Sequence, residues 1–384
     1  MKAVIAIDSF KGSLSSMEAG RAAAEGIRRV FPGAQIEVCP LADGGEGTVE
    51  TLISGMGGSI RTITVTGPLG ESVNGRYGIL RDGFTAVMEM ADAAGITLVP
   101  DRYRNPLYTT TYGVGETIRD AVRSGCRKFI IGIGGSATND GGAGMLQALG
   151  FDFLDEEGQP VACGAQGLEK LACIRTEHAM TELRECKFHI ACDVKNVLCG
   201  SEGCSAVFGP QKGADEDMIR RMDGWLSHYA VLAASVCGKA NAEYPGAGAA
   251  GGLGFAFLTF LNGVLEPGAE LILRETKLEE KLKDADIVVT GEGRLDRQTI
   301  MGKAPVGVAA LAKRYGKKVV AFSGCVTDDA RICNDHGIDA FFPIVRGAVS
   351  LEEAMDRENA FRNMADTAEQ VFRLISHGYF FRTT

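Results

Sequence analysis

Acidic residues recur directly after predicted strands, which is where open α/β sheets bind their ligands. They are Asp8 in DSFKG, Asp43 and Glu46 in ADGGEGT, Asp193 in ACDV, and Glu292 and Asp296 in TGEGRLD. Four cations lie near them in the sequence, namely Lys11, Lys212, Arg294 and Lys303. Acids that hold Mg²⁺ or accept a hydroxyl proton, together with cations that bind phosphates, are what magnesium-assisted phosphoryl transfer requires. Any one acid could instead cap a helix, but the recurrence favours this chemistry.

Glycine supplies 51 of the 384 residues, and the glycines occur in clusters. The cluster after the predicted strand 128–133 can turn backbone N–H groups toward an anion, and neighbouring hydroxyl and amide side chains add donors. We predict that it holds the phosphates of a nucleotide, although a tight strand-to-helix turn is the alternative. The predicted nucleotide contacts are Gly134, Gly135, Ser136, Thr138, Asn139, Gly291 and Lys303. A second cluster, residues 245–254, binds an anion or allows close helix packing.

The segment 132–137 also matches G-x-G-x-x-A, with Asp152 about 20 residues further on. This pattern indicates an alternative function, an NAD(P)-dependent oxidoreductase of a small hydroxy acid. Against it, the loop continues through residues 138–142 before a helix begins, which displaces the helix N-terminus that would hold a pyrophosphate. A sugar-acid-binding protein without turnover is a further alternative.

The hydrophobic pattern predicts an α/β fold. An S-x-x-E capping box at Ser15 and Glu18 begins a helix that Pro32 ends, between strands at 3–7 and 35–39. Further predicted strands lie at 60–66, 72–80, 84–90, 128–133, 188–192, 286–290 and 317–322, and further helices at 111–123, 308–315 and 361–375. We expect a discontinuous Rossmann- or flavodoxin-like domain from residues 1–76 and 285–384, with residues 77–284 inserted as a second α/β domain. The site should lie in the cleft between them.

Composition limits the classes of partner. The chain has 40 basic and 49 acidic residues and a net charge of −9, without a basic block, so neither nucleic acid nor membrane is expected as a partner. No run of residues approaches the roughly 20 apolar residues of a membrane span, and we expect a cytoplasmic protein. The 11 cysteines form no C-x-x-C pair, which argues against a disulfide framework or a zinc site. A homodimer is left open.

Several motifs in order along the chain resemble the bacterial glycerate kinase family. They are DSFKGSLS, ADGGEGT, TGPLGE, GIGGSATNDGGAGM, VFGPQKGA, PGAGAAGGLG and TGEGRLDRQT, followed by GKAPVGVA. The resemblance implies an ATP- and Mg²⁺-dependent kinase that converts D-glycerate to 2-phosphoglycerate, with a two-domain α/β fold. Ile7 replaces the proline usual in the family, and Val197 stands where the segment usually reads Asn-Pro-Leu, which affects loop rigidity and removes no chemical group.

Roles for individual residues follow from their chemistry and not from the resemblance. We predict Asp193 as the base that accepts the hydroxyl proton, because it ends a buried strand, and Asp296 with Glu292 as ligands of Mg²⁺. The roles of Asp193 and Asp296 could be exchanged. Lys11 is predicted to be catalytic and to anchor the substrate carboxylate. The predicted substrate-binding set is Ser9, Lys11, Gly12, Asp43, Gly44 and Glu46. The acceptor hydroxyl, 2 or 3, is left open by the residues.

Overall fold

The computed structural model describes residues 1–378, and these divide into two compact units. The first unit comprises Met1–Asp43, Ser54–Met56 and the described residues from Ala269 onward. The second comprises Gly44–Ile53 and Gly57–Gly268. Within residues 1–378, no helix has the length and apolar character needed to cross a bilayer.

Strands and helices alternate through most of the chain. The strands are β1 (Lys2–Ile7), β2 (Gln35–Val38), β3 (Gly58–Thr66), β4 (Ser72–Leu80), β5 (Thr85–Glu89), β6 (Lys128–Gly132), β7 (Asp152–Leu154), β8 (Cys173–Arg175), β9 (Lys187–Ala191), β10 (Val264–Glu266), β11 (Ile287–Leu295), β12 (Lys318–Val326) and β13 (Ala340–Pro343). The helices are α1 (Ser16–Val30), α2 (Thr48–Met56), α3 (Ala91–Ala94), α4 (Tyr112–Arg123), α5 (Ala143–Ala148), α6 (Cys204–Phe208), α7 (Glu216–Val236), α8 (Ala249–Phe260), α9 (Gly268–Glu275), α10 (Leu278–Leu282), α11 (Ala304–Lys313), α12 (Ile332–Asp335), α13 (Leu351–Met355) and α14 (Arg357–Ser376).

The first unit contains a parallel sheet in the order β13-β12-β11-β1-β2. Its central strands are apolar on both faces because α1 and α14 cover one face and α11 covers the other. The predicted capping box is present: the Ser15 hydroxyl accepts from the Glu18 N–H, and the Glu18 carboxylate accepts from the Ser15 N–H. Because Ile7 pairs with Gly291, the carboxyl ends of β1 and β11 lie at the same sheet edge.

The second unit contains a mixed sheet in the order β10-β9-β6-β5-β4-β3. The pairs β3–β4 and β4–β5 are antiparallel, and the other pairs are parallel. Aromatic rings fill the core, with Phe129 and Phe188 stacked at 4.8 Å between ring centroids. Gly132 pairs with Ala191, so the loops that follow β6 and β9 leave from one edge of this sheet. The α/β class is confirmed.

The predicted domain boundaries differ from this division. Residues 58–66 form β3, which pairs with β4 from Gly58 opposite Leu80 to Thr66 opposite Ser72, and so belong to the sheet of the second unit. Because β3 is an edge strand exposed for most of its length, its side-chain pattern does not indicate its sheet. Residues 269–284, predicted to lie in the insert, include α10, whose buried Leu278 and Leu282 pack in the core of the first unit.

Candidate active site

A cavity of about 440 Å³ lies in the first unit where β1 and β11 end. This volume is in the usual range for small-molecule sites, about 300–1,000 Å³. Its charged lining residues are Asp8, Lys11, Asp43, Glu292, Arg294 and Lys303, and its larger apolar ones are Phe10, Ile344, Val345, Leu351 and Met355. The structure therefore brings most of the sequence-predicted acids and cations of this unit together around one space.

Asp8 lies at the edge of the sheet, directly after β1. Its N–H donates to the carbonyl oxygen of Gly291 at 2.8 Å, and the Ser9 N–H donates to its carboxylate at 2.7 Å. Burial raises the pKa of Asp8 to about 7, and the negative charges of Asp43 and Glu292 act in the same direction. The carboxyl group therefore changes its protonation state near neutral pH, which suits a group that accepts a proton.

Lys11 and Gly12 lie on a tight turn after β1 that is closed by hydrogen bonds between Phe10 and Leu14. Gly12 has a φ of +78°, and a Cβ there would lie 2.7 Å from the Met355 Cε atom, so the turn favours glycine. The Lys11 ammonium is 3.8 Å from the Asp43 carboxylate, and 73% of its side chain is exposed. Lys11 and Asp43 are therefore close together, as predicted, and most of the Lys11 side chain is in contact with solvent.

Glu292 lies inside β11 and is buried, whereas the sequence predicted a flexible loop after residue 290. The strand continues because Gly291 lets it pair closely with β12: a Cβ on Gly291 would lie 2.0 Å from the Phe322 carbonyl oxygen. Gly291, predicted to contact the nucleotide, therefore has a packing role. Burial raises the pKa of Glu292.

Thr299 connects the two predicted metal ligands. Its hydroxyl donates to Glu292 at 2.7 Å and accepts from the Asp296 N–H at 3.1 Å. The Asp296 carboxylate caps the following 3₁₀ helix by accepting from the Gln298 N–H at 2.8 Å. The Lys303 ammonium lies 3.3 Å from Glu292 and 3.9 Å from Asp296. The sequence left helix capping open as an alternative role for each acid, and Asp296 has that role. Glu292 faces the cavity.

The glycine loop, residues 133–142, follows β6 in the second unit. Its acid, Asp140, is fully buried, and its carboxylate accepts from the Thr111 N–H and hydroxyl and from the N–H groups of Gly142 and Gly144. These four bonds tie the end of the loop to Thr111 and to the start of α5. The segment PGAGAAGGLG packs against it, because the Gly141 N–H donates to the Gly251 carbonyl at 2.9 Å.

The structure separates the predicted donors of this loop into two groups. Gly134 and Gly135 are exposed, and Ser136 is 8% exposed. Thr138 and Asn139, predicted as side-chain donors to an anion, are 0% exposed, and the Asn139 amide donates to the Ser205 hydroxyl at 2.8 Å. The bonds to Asp140 hold this half of the loop inward, and a contact of Thr138 and Asn139 with a nucleotide stays a prediction.

Asp193 is exposed, although the sequence predicted a partly desolvated side chain. The reason is that β9 ends at Ala191, so Asp193 stands beyond the strand, where its carboxylate accepts from the Gly268 N–H at 3.0 Å. Gly44 is buried with a φ of +83°, and a Cβ on it would meet the Ala191 Cβ at 2.2 Å, which gives this glycine a packing role.

Glu46 is exposed, and a different acid holds its loop. Glu89, at the end of β5, accepts from the N–H groups of Gly47 at 3.2 Å and Val49 at 2.9 Å. Burial raises the pKa of Glu89 to about 7. Sequence reasoning missed this acid, although an acidic residue that ends the apolar run TAVME was a usable signal.

Residues 1–378 contain no ready cluster of three or more His, Cys, Asp or Glu side chains that could hold a metal ion. Mg²⁺ is commonly held through one or two carboxylates plus substrate phosphates and waters, so a larger cluster is not required. Asp8, Asp43 and Glu292 are hard oxygen donors on the cavity wall, and burial together with the charges of Asp43 and Glu292 raises the pKa of Asp8. This donor set fits a divalent cation.

An α/β fold with acids and cations collected in a cavity at the ends of parallel strands has the features of an α/β enzyme that acts on a small molecule. A sequence profile of the Glycerate kinase family matches residues 3–376. The chain belongs to the glycerate kinase family and is an enzyme of that family. The resemblance inferred from the motifs is confirmed, and membership decides against the dehydrogenase and non-catalytic alternatives.

Individual relatives cover nearly the whole chain. A glycerate kinase of Bacillus subtilis is 49% identical over 371 residues, 97% of this chain and 97% of the relative. The Escherichia coli protein named glycerate 2-kinase is 46% identical over 378 residues, 98% of this chain and 99% of the relative. A crystal structure of a candidate glycerate kinase 2 from Salmonella typhimurium LT2 is similar with a TM-score of 0.92 and 47% identity, and the match covers 98% of this chain and 99% of that one.

Proposed function

We propose that this chain transfers the γ-phosphoryl group of ATP to the 2-hydroxyl of D-glycerate in a Mg²⁺-dependent reaction. The observation that carries the proposal is similarity over nearly the full length to proteins named glycerate kinase, one of them named glycerate 2-kinase. The cavity of the first unit adds chemical support, because three carboxylates and three cations line it. Transfer of phosphoryl groups depends mainly on positioning and on charge stabilisation, which such groups provide.

In the proposed reaction the glycerate hydroxyl oxygen forms a bond to the γ-phosphorus while the bond to the bridging oxygen of ADP breaks. ADP leaves with the electron pair, and the hydroxyl proton moves to a carboxylate. Asp193 was predicted for this role, and Asp8 is a second candidate, because its raised pKa of about 7 matches a base that works near neutral pH. Asp193 is exposed, which favours Asp8.

Glycerate carries one carboxylate, which needs a cation and N–H donors. We propose that Lys11, together with Ser9 and the backbone of Gly12, binds it, since these residues form the turn after β1 at the cavity. The ammonium of Lys11 is 3.8 Å from Asp43, a long contact that a substrate carboxylate could replace at little cost.

Mg²⁺, when bound, neutralises charge on the phosphate oxygens. We propose Glu292 as one of its ligands, as the sequence predicted. The second predicted ligand, Asp296, already caps a 3₁₀ helix and has Arg294 3.4 Å from its other oxygen. Asp43 is therefore the better second ligand, because it lines the cavity with Glu292 and leaves Asp8 free to accept a proton.

We propose that ATP contacts the start of the glycine loop, at the exposed Gly134 and Gly135 and at the adjoining, buried Ser136 hydroxyl. Lys303 lies in the first unit beside Glu292, and its contact with the nucleotide stays a prediction from the sequence. A cytoplasmic location and a site where two domains meet stay predictions from the sequence. Limited proteolysis with and without glycerate plus ATP tests the prediction of a site between domains.

The deciding experiment is a coupled assay of ADP release with D-glycerate, ATP and Mg²⁺, followed by ³¹P NMR of the product. We expect turnover that needs both glycerate and Mg²⁺, and the signal of 2-phosphoglycerate. Omission of glycerate is the control for ATP hydrolysis. A 3-phosphoglycerate signal would show that the 3-hydroxyl is the acceptor, and the protein would still be a glycerate kinase. Absence of glycerate-dependent ADP release would refute the proposed function.

A further inference from the structure

Lys212 is a buried cation in the second unit that the proposed chemistry does not yet use. Its side chain is 2% exposed, and its ammonium donates to the Ser136 hydroxyl oxygen at 2.8 Å and to the Thr138 carbonyl oxygen at 2.6 Å. Among residues 1–378, no carboxylate forms an ion pair with it. A buried charge whose attraction to an acid, Asp140, acts only from beyond ion-pair distance is costly, so a lysine here needs a reason beyond stability.

The direction of the hydrogen bond to Ser136 has a chemical consequence. An ammonium can only donate, so the Ser136 oxygen must accept from Lys212, and the hydroxyl proton has to point elsewhere. Among the described residues, the Ser136 hydroxyl donates no hydrogen bond of its own. Ser136 adjoins the exposed residues Gly134 and Gly135, so the proton is available to a ligand at the start of the loop.

We propose that Lys212 is a positioning residue that fixes the Ser136 hydroxyl as a hydrogen-bond donor to a phosphate oxygen of the bound nucleotide. The proposal rests on the proposed function in that it takes the ligand of the glycine loop to be ATP. Lys212 acts in two ways: its charge polarises the Ser136 hydroxyl, and its bond to the Thr138 carbonyl holds the loop in place. A charge-assisted donor is stronger than a neutral one and suits an anionic ligand.

The arrangement depends on pH. Burial lowers the pKa of Lys212 from 10.5 to about 8. The titratable groups that face it are Cys204 from α6, whose pKa burial raises to about 12, and the Asp140 carboxyl of the loop. Above about pH 8 the neutral amine can accept the Ser136 proton, which then no longer reaches a ligand. Nucleotide affinity should therefore fall as pH rises through this range.

The test measures ATP binding by isothermal titration calorimetry, together with turnover, on the full-length protein. The variants are Lys212→Met, Ser136→Ala and the double variant, with Lys170→Met as a control for loss of an exposed positive charge in the same unit. We expect each single variant to weaken ATP binding about tenfold, the scale of one hydrogen bond to a charged group. Because both remove the same interaction, the double variant should also lose about tenfold and not a hundredfold. The KM for glycerate should stay within about twofold in every variant, and Lys170→Met should bind ATP like the parent.

The pH profile gives a second readout that needs no Lys212 variant to fold. The parent should lose ATP affinity above about pH 8, and Ser136→Ala should not. Multiplicative losses in the double variant, or an alkaline loss retained in Ser136→Ala, would overturn the proposal. If the protein shows no glycerate-dependent turnover, but the double variant loses no more ATP affinity than either single variant, the proposed function is refuted and the role of Lys212 is supported. If turnover with glycerate is normal, but the losses of ATP affinity in the two single variants multiply in the double variant, the role of Lys212 is refuted and the proposed function is supported.

Discussion

The cavity of the first unit and the glycine loop of the second unit use similar polar residues in opposite ways. In the cavity, Asp8 and Glu292 keep their carboxylates on the wall, and repulsion between acids contributes to the raised pKa of Asp8. In the loop, the carboxylate of Asp140 accepts four hydrogen bonds from the loop and from Thr111. Acids that act on a ligand must stay available to it, whereas acids that shape a loop must satisfy buried donors. The number of internal partners separates the two kinds.

The largest expected effect comes from removing the proposed base, Asp8. Asp8→Asn should lower kcat about 10²-fold or more, the usual scale for loss of a general base, with little change in the KM for ATP. Asp193→Asn is the matched comparison, because the sequence favours it and the structure leaves it exposed. Steady-state kinetics with D-glycerate measures both. Near-normal kcat in Asp8→Asn together with a 10²-fold loss in Asp193→Asn would restore the assignment made from the sequence.

Removing the loop-forming acid should instead affect folding. Asp140→Asn replaces an acceptor by an NH₂ group that faces N–H donors, so we expect a loss of about 2–4 kcal/mol in the free energy of unfolding. Urea denaturation measures it. Asp217→Asn, an exposed acid in the same unit, is the control and should change stability by less than about 0.5 kcal/mol. Equal effects in the two variants would mean that the buried bonds of Asp140 are not what closes the loop.

Sequence reasoning predicted the elements of the first unit well, for reasons that are local. The capping box at Ser15 is a short-range pattern, and the meeting of Asp8 with Glu292 follows from the rule that parallel strands end at one edge. Asp140 was missed because nothing in the run TNDGG distinguishes a loop-closing acid from its neighbours. Its role depends on Thr111, a residue far away in the sequence whose N–H and hydroxyl both donate to it.

Two other differences have physical causes of the same kind. The glycines in TGEGRLD predict a loop, because glycine is common in turns. In the structure Gly291 instead allows close pairing with β12, and β11 continues through this segment. The packing of β3 with β4 depends on an antiparallel register that its exposed side chains do not indicate. Non-local pairing, and not local propensity, decides such positions.

A smaller effect should separate activity from stability at Asp8. Its pKa in the folded protein is about 7, above the ordinary value of 3.8, so the folded state holds a proton that the unfolded state releases. The folded state is therefore progressively destabilised as pH rises from about 4 to about 7. Asp8→Asn should melt at a higher temperature than the parent at pH 8, with the difference shrinking toward pH 5, as thermal melts at both values would measure. A higher melting temperature for the parent at pH 8 would show that the Asp8 carboxylate is stabilised by its surroundings.

The smallest effect is expected at Lys11, because 73% of its side chain is exposed and its contact with Asp43 is long, at 3.8 Å. An exposed ion pair contributes only about 0–1 kcal/mol, so Lys11→Met should leave stability unchanged. If the ammonium binds the carboxylate of glycerate, the KM for glycerate should rise several-fold, since one charge-assisted hydrogen bond would be lost in the ground state and the transition state alike, while kcat changes little. Lys318→Met, an exposed lysine of the same unit outside the cavity, is the matched control. Steady-state kinetics with varied D-glycerate measures these effects. If both KM and kcat are unchanged, Lys11 is a solvated surface lysine. If kcat falls while KM stays constant, the charge of Lys11 acts on the transferring phosphoryl group and not on the substrate carboxylate.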